Sequence, residues 1–136
     1  MTADPIQITG NVLGVPRTIL RLEGALVLAG TAFAYAHTEG SIHLFLLIFL
    51  VPDLSMLGYL AGRAWGAAIY NFSHSYLAPA ALLGLGFLQP EQLAVQLGLI
   101  WMAHIGFDRM VGYGLKYRSG FAHTHLGVPR WHGVKP

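Results

Sequence analysis

The chain has 136 residues, of which 54% are hydrophobic and only 10% are charged, and its formal net charge is +2. Because an ordinary soluble domain has about 25% charged residues, this composition argues against a soluble globular protein and favours an integral membrane protein. The sequence contains no cysteine, which excludes disulfides and thiolate metal sites, and its length allows one compact domain.

Four apolar segments predict four transmembrane helices. The first covers residues 16–36 and begins at Pro16, which suits a helix start because its missing N–H would have no partner there. The second and third cover residues 42–61 and 64–88, with a kink expected at Pro79. The fourth covers residues 91–117 and is followed by a tail, residues 118–136. Each segment has about 20 residues or more, enough to cross a hydrocarbon core of ~30 Å.

The positions of the basic residues predict the orientation of these helices. The end that the two termini share carries Arg17, Arg21, Arg63, Lys116, Arg118, Arg130 and Lys135, whereas the opposite turns contain no Lys or Arg. By the positive-inside rule, both termini face the cytoplasm. Short loops make neighbouring helices antiparallel, so we expect an all-α, up-down four-helix bundle in the bacterial inner membrane, with a short cytoplasmic C-terminal tail.

The same charge distribution predicts the partners of the protein. Basic residues that flank apolar segments serve membrane orientation, so we expect contacts with membrane lipids and no binding of nucleic acid. A hydrophobic small molecule could enter between the helices. A homo-oligomer or a larger membrane complex is also compatible with so small a bundle.

Six polar or ionisable side chains interrupt the apolar segments at a similar predicted depth: Glu23, Asp53, Asn71, His74, His104 and Asp108. At ~1.5 Å per helical residue, they fall within roughly 10 Å along the membrane normal. Asn71 and His74 are three residues apart and His104 and Asp108 are four apart, so each pair shares one helix face. Charges in lipid are costly, so such residues normally pair, line a cavity or bind a ligand.

Small residues indicate which helix faces turn inward. Gly30 and Ala34 follow the line of Glu23 along the first helix, and Ala67 and Ala78 lie on the polar face of the third. Small side chains allow close helix approach in membranes. We therefore expect these faces to meet and to bring the polar groups together inside the bundle.

Carboxylates and imidazoles that converge from several helices are typical of metal sites in helical bundles. We predict that His74, His104 and Asp108 bind a divalent metal, Zn or Fe, and that Asp53 or Glu23 is a further ligand or the general base. The side chains predicted to bind substrate or cofactor nearby are Asn71, Tyr70 and Tyr59.

The residues leave several functions open. An enzyme would act on a lipid or another hydrophobic substrate, by hydrolysis with a metal-activated water or by oxidation at iron. A non-catalytic membrane subunit could use His74 or His104 as an axial ligand to haem or a pigment, or could dock onto a larger complex. The polar residues could also form a purely structural network, with Arg109 pairing with Glu23 or Asp53, or a path for protons or ions.

The tail contributes two further expectations. A strap that folds back under the bundle would bring His125 close to Asp108, whereas His123 is expected to be an exposed loop residue without a role. Trp131 could rest at the membrane interface.

Three stretches carry an unusual combination of motifs: PDLSMLGY at residues 52–59, YNFSH at residues 70–74, and residues 104–117, which end in GYGLKY. In this combination, which continues through residues 124–127, the chain resembles a family of small bacterial membrane proteins classed as a domain of unknown function. The family commonly has an acidic residue where this chain has His123, so no family role is carried over to that residue. The resemblance implies four helices and supports the choice of site residues, but it implies no activity.

Overall fold

The computed structural model describes residues 10–128, and the regular elements of this part of the chain are helices. The helices are α1 (Gly14–Ala36), α2 (Ile42–Phe49), a 3₁₀ helix (Val51–Ala61), α3 (Arg63–Ser73), α4 (Leu77–Leu88) and α5 (Gln92–Val111). Within residues 10–128 no strand forms, and one isolated bridge joins Lys116 to Thr124. The predicted all-α class is therefore confirmed, while Trp131 and the end of the tail lie outside the described residues.

The predicted third segment consists of two helices rather than one kinked helix. Helix α3 ends at Ser73, and His74 follows it with φ −109° and ψ 14°. The expected kink at Pro79 was wrong. Pro79 lies in the first turn of α4, where a missing N–H leaves no intrahelical hydrogen bond unmade. The break therefore falls at a histidine that is predicted to belong to the site.

Helix α5 is shorter than the predicted fourth segment because a glycine ends it. Gly112 has φ 101° and ψ 13°, a left-handed conformation that glycine adopts without steric cost. The N–H groups of Gly112 and Tyr113 both donate to the carbonyl of Asp108, at 3.0 and 2.7 Å. These bonds close the helix at Val111 and turn the chain into an irregular segment, residues 112–128.

Helix α5 lies at the centre of the molecule and packs against α1, α2 and α4, while α3 packs against the 3₁₀ helix. Backbones of α1 and α5 touch where Gly24 meets Gly106. A Cβ atom on either glycine would lie 2.8 Å from the carbonyl oxygen of the other. Gly30 is exposed and has nothing within 4 Å of a Cβ position, so the expectation that it allows a close helix contact was wrong. Ala34, which was expected on the same face, does pack against the core.

Two helical segments are long and apolar enough to cross a membrane, Gly14–Ala36 and Ile42–Ala61. Both leave most of their residues unburied, and large apolar side chains such as Leu26, Leu47 and Leu60 are exposed. A helix in the core of a soluble protein would bury such side chains, so the outward position of these residues agrees with an apolar surrounding.

Candidate metal centre

Four side chains from three parts of the fold converge on one point. Asp53 lies in the first turn of the 3₁₀ helix, and His74 lies at the break between α3 and α4. His104 and Asp108 project from one face of α5, one turn apart. A 3₁₀ helix of 11 residues is unusual, since such helices rarely exceed 3–4 residues and longer ones often mark functional segments. Asp53 and His74 thus both lie where regular α-helix is interrupted.

The atoms that could bind an ion are close together. Nε2 of His74 lies 3.1 Å from Nε2 of His104. It also lies 3.4 Å from Oδ1 of Asp53 and 3.4 Å from Oδ2 of Asp108. Nε2 of His104 lies 3.5 Å from the Asp53 oxygen and 3.6 Å from the Asp108 oxygen. Both imidazoles therefore direct the same nitrogen toward both carboxylates.

These distances fit the space that a metal ion requires. Four ligands at about 2.1 Å in a tetrahedron lie about 3.4 Å from one another. The nitrogen–oxygen and nitrogen–nitrogen separations in the cluster run from 3.1 to 3.6 Å. One nitrogen or oxygen from each of the four residues lies within 4.8 Å of all the others. The cluster of Asp53, His74, His104 and Asp108 could therefore hold a metal ion.

The neighbours of His74 fix the orientation of its ring. Nδ1 lies 3.0 Å from the carbonyl oxygen of Tyr70 and 2.8 Å from Oγ of Ser73. The Tyr70 ring stacks on the imidazole with centroids 3.8 Å apart and planes 10° apart. Metal-binding histidines usually donate their second ring N–H to an oxygen, which holds the other nitrogen toward the ion. His74, which is only 1% exposed, has that arrangement.

His104 is held differently from His74. Its ring packs edge-on against Phe49 and against the His74 ring, with centroids 5.3 and 5.1 Å away. Nδ1 of His104 is buried. Packing against Phe49 and the His74 ring contributes to the direction of this imidazole.

Side chains from α5 stabilise the helix break at His74. The indole N–H of Trp101 donates to the carbonyl of Ser73 at 2.6 Å, and the Arg109 guanidinium donates to the carbonyl of His74 at 2.9 Å. These carbonyls belong to the end of α3, where helical partners are missing. The expected ion pair of Arg109 with Glu23 or Asp53 does not occur in the described part of the chain, because the guanidinium donates to backbone carbonyls instead.

A cavity of about 360 Å³ lies beside the two carboxylates. Asp53 and Asp108 form one part of its wall, and Lys116 and Phe121 form another. The Asp53 side chain is 38% exposed, whereas that of Asp108 is 11% exposed. Asp53 is therefore the carboxylate that a molecule in the cavity would meet first.

Lys116 is buried although it carries an ammonium group, being only 7% exposed. Its Nζ lies 3.2 Å from the ring centroid of Phe121, 4.5 Å from that of Tyr70 and 5.7 Å from that of Tyr59. Lys116 lies beyond the end of α5, and burial lowers its pKa to about 8. At neutral pH the amine is therefore still mostly protonated, inside a largely aromatic surrounding.

The structure places the three residues predicted to bind substrate or cofactor around Lys116. Asn71 donates to the Lys116 carbonyl at 2.8 Å and accepts from its N–H at 2.7 Å, so it clamps the segment after α5 to α3. Tyr70 contacts both His74 and Lys116. The Tyr59 ring packs against Gly66 and Phe121, and its hydroxyl is buried without a hydrogen bond in the described range.

Glu23 is the one predicted site residue of the polar layer that faces another cavity. This second cavity, of about 330 Å³, is also lined by Tyr76, Arg109 and His125. Gly24, one residue further along α1, occupies the contact with α5, and a rotation of about 100° per residue turns Glu23 away from the cluster. The residues after α5 do fold back, but His125 joins this second cavity rather than the cluster around Asp108.

His125 has a local structural role in the segment after α5. Its Nδ1 accepts a hydrogen bond from the Leu115 N–H at 2.9 Å, and its carbonyl accepts from the Val12 N–H at 2.8 Å. Burial, with a further contribution from Arg109, lowers the pKa of the imidazole. His123 is held by Ser119, whose Oγ lies 2.6 Å from its Nδ1.

A third cavity, of about 400 Å³, is almost entirely apolar and lies on the Ser73 side of His74. Ile48, Leu82, Leu97 and Trp101 line it, together with the hydroxyl-bearing pair Ser55 and Ser73. Oγ of Ser73 lies 2.7 Å from that of Ser55. An apolar chain of a bound molecule in this cavity would therefore contact Ser73, the neighbour of His74 in the sequence.

Sequence reasoning did not assign a role to four residues that shape the site: Ser73, Trp101, Lys116 and Phe121. Ser73 stands in an apolar segment without a feature that marks it as a site residue, and Lys116 contributes to the sequence analysis only as a charge for orientation. The adjacency of Ser73 to His74 was a usable signal. The role of Lys116 depends on how residues 112–128 fold back, which the local sequence does not reveal.

Comparison with known proteins identifies a family but no activity. A family model described as a domain of unknown function, DUF4260, matches residues 17–128. No curated protein and no solved structure matches the chain. The match contains all four residues of the cluster as well as Lys116, and it confirms the resemblance to a family of unknown function. The chain therefore belongs to the DUF4260 family.

Proposed function

We propose that this protein is a membrane-embedded metal-dependent hydrolase that acts on a lipid-like substrate. The observation that carries the proposal is the convergence of two imidazole nitrogens and two carboxylate oxygens at separations suited to one ion. Nitrogen and oxygen donors without sulfur favour Zn²⁺ or Fe²⁺. His74, His104 and Asp108 would hold the ion and leave one position for water or substrate, and Asp53 would lie beside it at the cavity wall as the general base.

The second part of the proposal concerns the reaction. A divalent ion at this position would polarise a carbonyl or phosphoryl oxygen of the substrate and lower the pKa of a water molecule. Asp53, the more exposed carboxylate, accepts a proton from the attacking water and passes it to the leaving oxygen. Water adds to the acyl carbon or phosphorus, and the ester bond to the leaving group breaks. Hydrolysis is preferred to oxidation because Asp53 supplies a general base beside the ion, which the attack of water requires.

The third part of the proposal is the location. The four helical rods, α1, α2 with the 3₁₀ helix, α3 with α4, and α5, would cross the bacterial inner membrane with both termini in the cytoplasm. Gln96 donates to the carbonyl of Thr38 at 3.0 Å, which keeps the turns between α1 and α2 and between α4 and α5 together. The Arg21 guanidinium donates to the carbonyl of Met110 at the opposite end, where most basic residues lie.

The geometry gives less support to a haem or pigment ligand. An imidazole that binds haem or a pigment as an axial ligand meets a flat macrocycle, which extends to all sides of its coordinating nitrogen. In the cluster the nitrogens are 3.1 Å apart and two carboxylates lie where the macrocycle would have to pass. A single small ion requires no such space.

Elemental analysis of the purified protein tests the metal centre. We expect near-stoichiometric metal in the wild type and none in the His104→Ala variant. The matched control is His43→Ala, because His43 is exposed in the first turn of α2, at the end of that helix remote from Asp53. The Asp53→Asn variant keeps the shape of the side chain and should lower kcat on a long-chain p-nitrophenyl ester by about 10²–10⁴-fold, the usual contribution of a general base.

Two results would contradict this assignment. Metal-free wild-type protein whose thermal stability does not change on metal addition would make the cluster a structural hydrogen-bond network. Normal helix content by circular dichroism in the variants is required, so that metal loss is not a consequence of unfolding. Stoichiometric metal without ester or phosphoester hydrolysis would reject the enzyme assignment alone.

Cysteine labelling tests the location, because the chain has no cysteine of its own. In intact spheroplasts, a membrane-impermeant maleimide should label Glu39→Cys, whereas Arg118→Cys should react only after lysis. Recovery of the protein in the soluble fraction, or equal labelling of both positions, would contradict the proposed orientation.

A further inference from the structure

Lys116 is a buried cation for which residues 10–128 provide no paired anion. No carboxylate oxygen in this range lies within 4.0 Å of its Nζ. Its contacts are the faces of aromatic rings, above all that of Phe121 at 3.2 Å. Such contacts contribute about 0.5–2 kcal/mol, whereas burying an ammonium group without a partner costs several kcal/mol.

The position of Lys116 is fixed by its backbone. Asn71 binds both its N–H and its carbonyl, and the bridge to Thr124 holds the opposite side of the turn. The side chain points along the wall of the cavity that Asp53 and Asp108 share. The fold therefore holds a cation beside the proposed metal centre without neutralising it.

The charges in this cavity favour an anionic molecule. When a divalent ion is bound, the two negative charges of Asp53 and Asp108 offset its charge. The ammonium of Lys116 then gives the lining of the cavity one net positive charge. Met56, Phe107 and Phe121 supply apolar walls, and the last two are partly exposed at 38% and 47%. A volume of about 360 Å³ lies within the range of small-molecule sites.

We infer that Lys116 binds a monoanionic oxygen group of the substrate, so that the substrate is an anionic amphiphile, with a carboxylate or a phosphodiester in its head group. This inference rests on the proposed function, because a bound divalent ion is what offsets the charges of Asp53 and Asp108 and leaves that of Lys116 in excess. The ammonium would donate charge-assisted hydrogen bonds to the anionic oxygens. The apolar part of the molecule would leave the cavity past Phe107 and Phe121.

Binding of three probes with the same acyl chain tests the inference: oleate, 1-oleoyl lysophosphatidylglycerol and 1-oleoyl glycerol. Affinities are measured by tryptophan fluorescence in a neutral detergent, and metal content is measured on the same preparations. We expect at least one anionic probe to bind about tenfold or more tightly than the neutral glycerol ester. The anionic probe that shows the preference identifies carboxylate or phosphodiester as the recognised group.

Variants separate Lys116 from general surface charge. Lys116→Gln should remove the preference for the anionic probe, while Lys116→Arg and the control Arg118→Gln should retain it. Arg118 is exposed and two residues away, so it tests the effect of net charge alone. If the wild type binds the charged and the neutral probes with equal affinity, the inference is wrong whatever the variants show. It is also wrong if Arg118→Gln loses the preference for the anionic probe as fully as Lys116→Gln does.

The failures of the two proposals are distinguishable. A metal-loaded protein that prefers the anionic probe through Lys116 but hydrolyses no ester or phosphoester retains the anion site and loses the hydrolase. A metal-loaded protein that shows no such preference retains the metal centre and loses the anion site.

Discussion

The metal cluster and the Glu23 cavity contain the same kinds of side chain but differ in where those side chains direct their polar atoms. In the cluster, His74 and His104 direct one nitrogen each toward two carboxylates at 3.4–3.6 Å. In the other cavity, Arg109 donates to backbone carbonyls and His125 accepts from a backbone N–H. Polar residues in an apolar chain thus serve two purposes: some form a candidate site, and others hydrogen-bond to backbone groups. The two are distinguished by whether the polar side-chain atoms converge on one point.

The two regions depend on each other through Arg109. Its guanidinium reaches the carbonyl of His74, so the side chain that lines the Glu23 cavity also stabilises the helix break that positions a ligand. The same helix, α5, supplies His104 to one region and Arg109 to the other. A comparison of the two regions by mutation should therefore substitute Glu23, which is exposed, rather than Arg109, which contributes to both regions.

The largest expected difference lies between the carboxylates of the two regions. Asp108→Asn should weaken metal binding by more than about 100-fold, since even the loss of a hydrogen-bond partner of a ligand costs about 10- to 100-fold. Glu23→Gln should leave metal affinity unchanged. Metal titration of chelator-treated protein measures both. Similar losses of metal affinity in the two variants would show that the two regions are not distinct and that Glu23 belongs to the metal site.

The next prediction concerns the contact that rotates Glu23 away from the cluster. Gly106→Val should destabilise the fold by about 1–3 kcal/mol or more, because a Cβ atom there would lie 2.7 Å from the Leu28 backbone nitrogen. Gly30→Ala should be neutral or stabilise α1 by about 0.5–1 kcal/mol, since nothing lies within 4 Å of that position.

Denaturant unfolding in detergent measures both glycine variants. If Gly30→Ala were as harmful as Gly106→Val, α1 would present the face that was expected from the sequence, with Glu23 turned inward.

The smallest expected effect concerns the hydrogen bond behind His74. Ser73→Ala removes the hydroxyl 2.8 Å from Nδ1 and should weaken metal binding by about tenfold, while the Tyr70 carbonyl still holds the ring. The matched control is Ser75→Ala, because Ser75 lies in the same break and its hydroxyl donates to the Phe72 carbonyl. An equal and large loss in the two variants would indicate damage to the helix break rather than to the orientation of the imidazole.

Much of the candidate site could be predicted because helical spacing is local information. The pairing of His104 with Asp108 follows from one turn of α5, and the cost of burying charge explains why these residues belong together. The existence of an all-helical fold follows from the apolar segments and their lengths. The helix break could not be placed in the same way, because Pro79 was a stronger local signal than His74, whose carbonyl is satisfied by Arg109, 35 residues away.

The sequence by itself determined the helical class, the one-sided distribution of basic residues and three of the four members of the cluster as a group. Only the tertiary structure decided between Asp53 and Glu23 as the fourth, because Gly24 rather than Gly30 forms the close contact with α5. It also decided that Lys116 lies beside the carboxylates, since that position depends on Asn71 clamping the segment after α5 across 45 residues of chain. Helix periodicity is set by neighbours in sequence, whereas the rotation of one helix against another is set by contacts between distant residues.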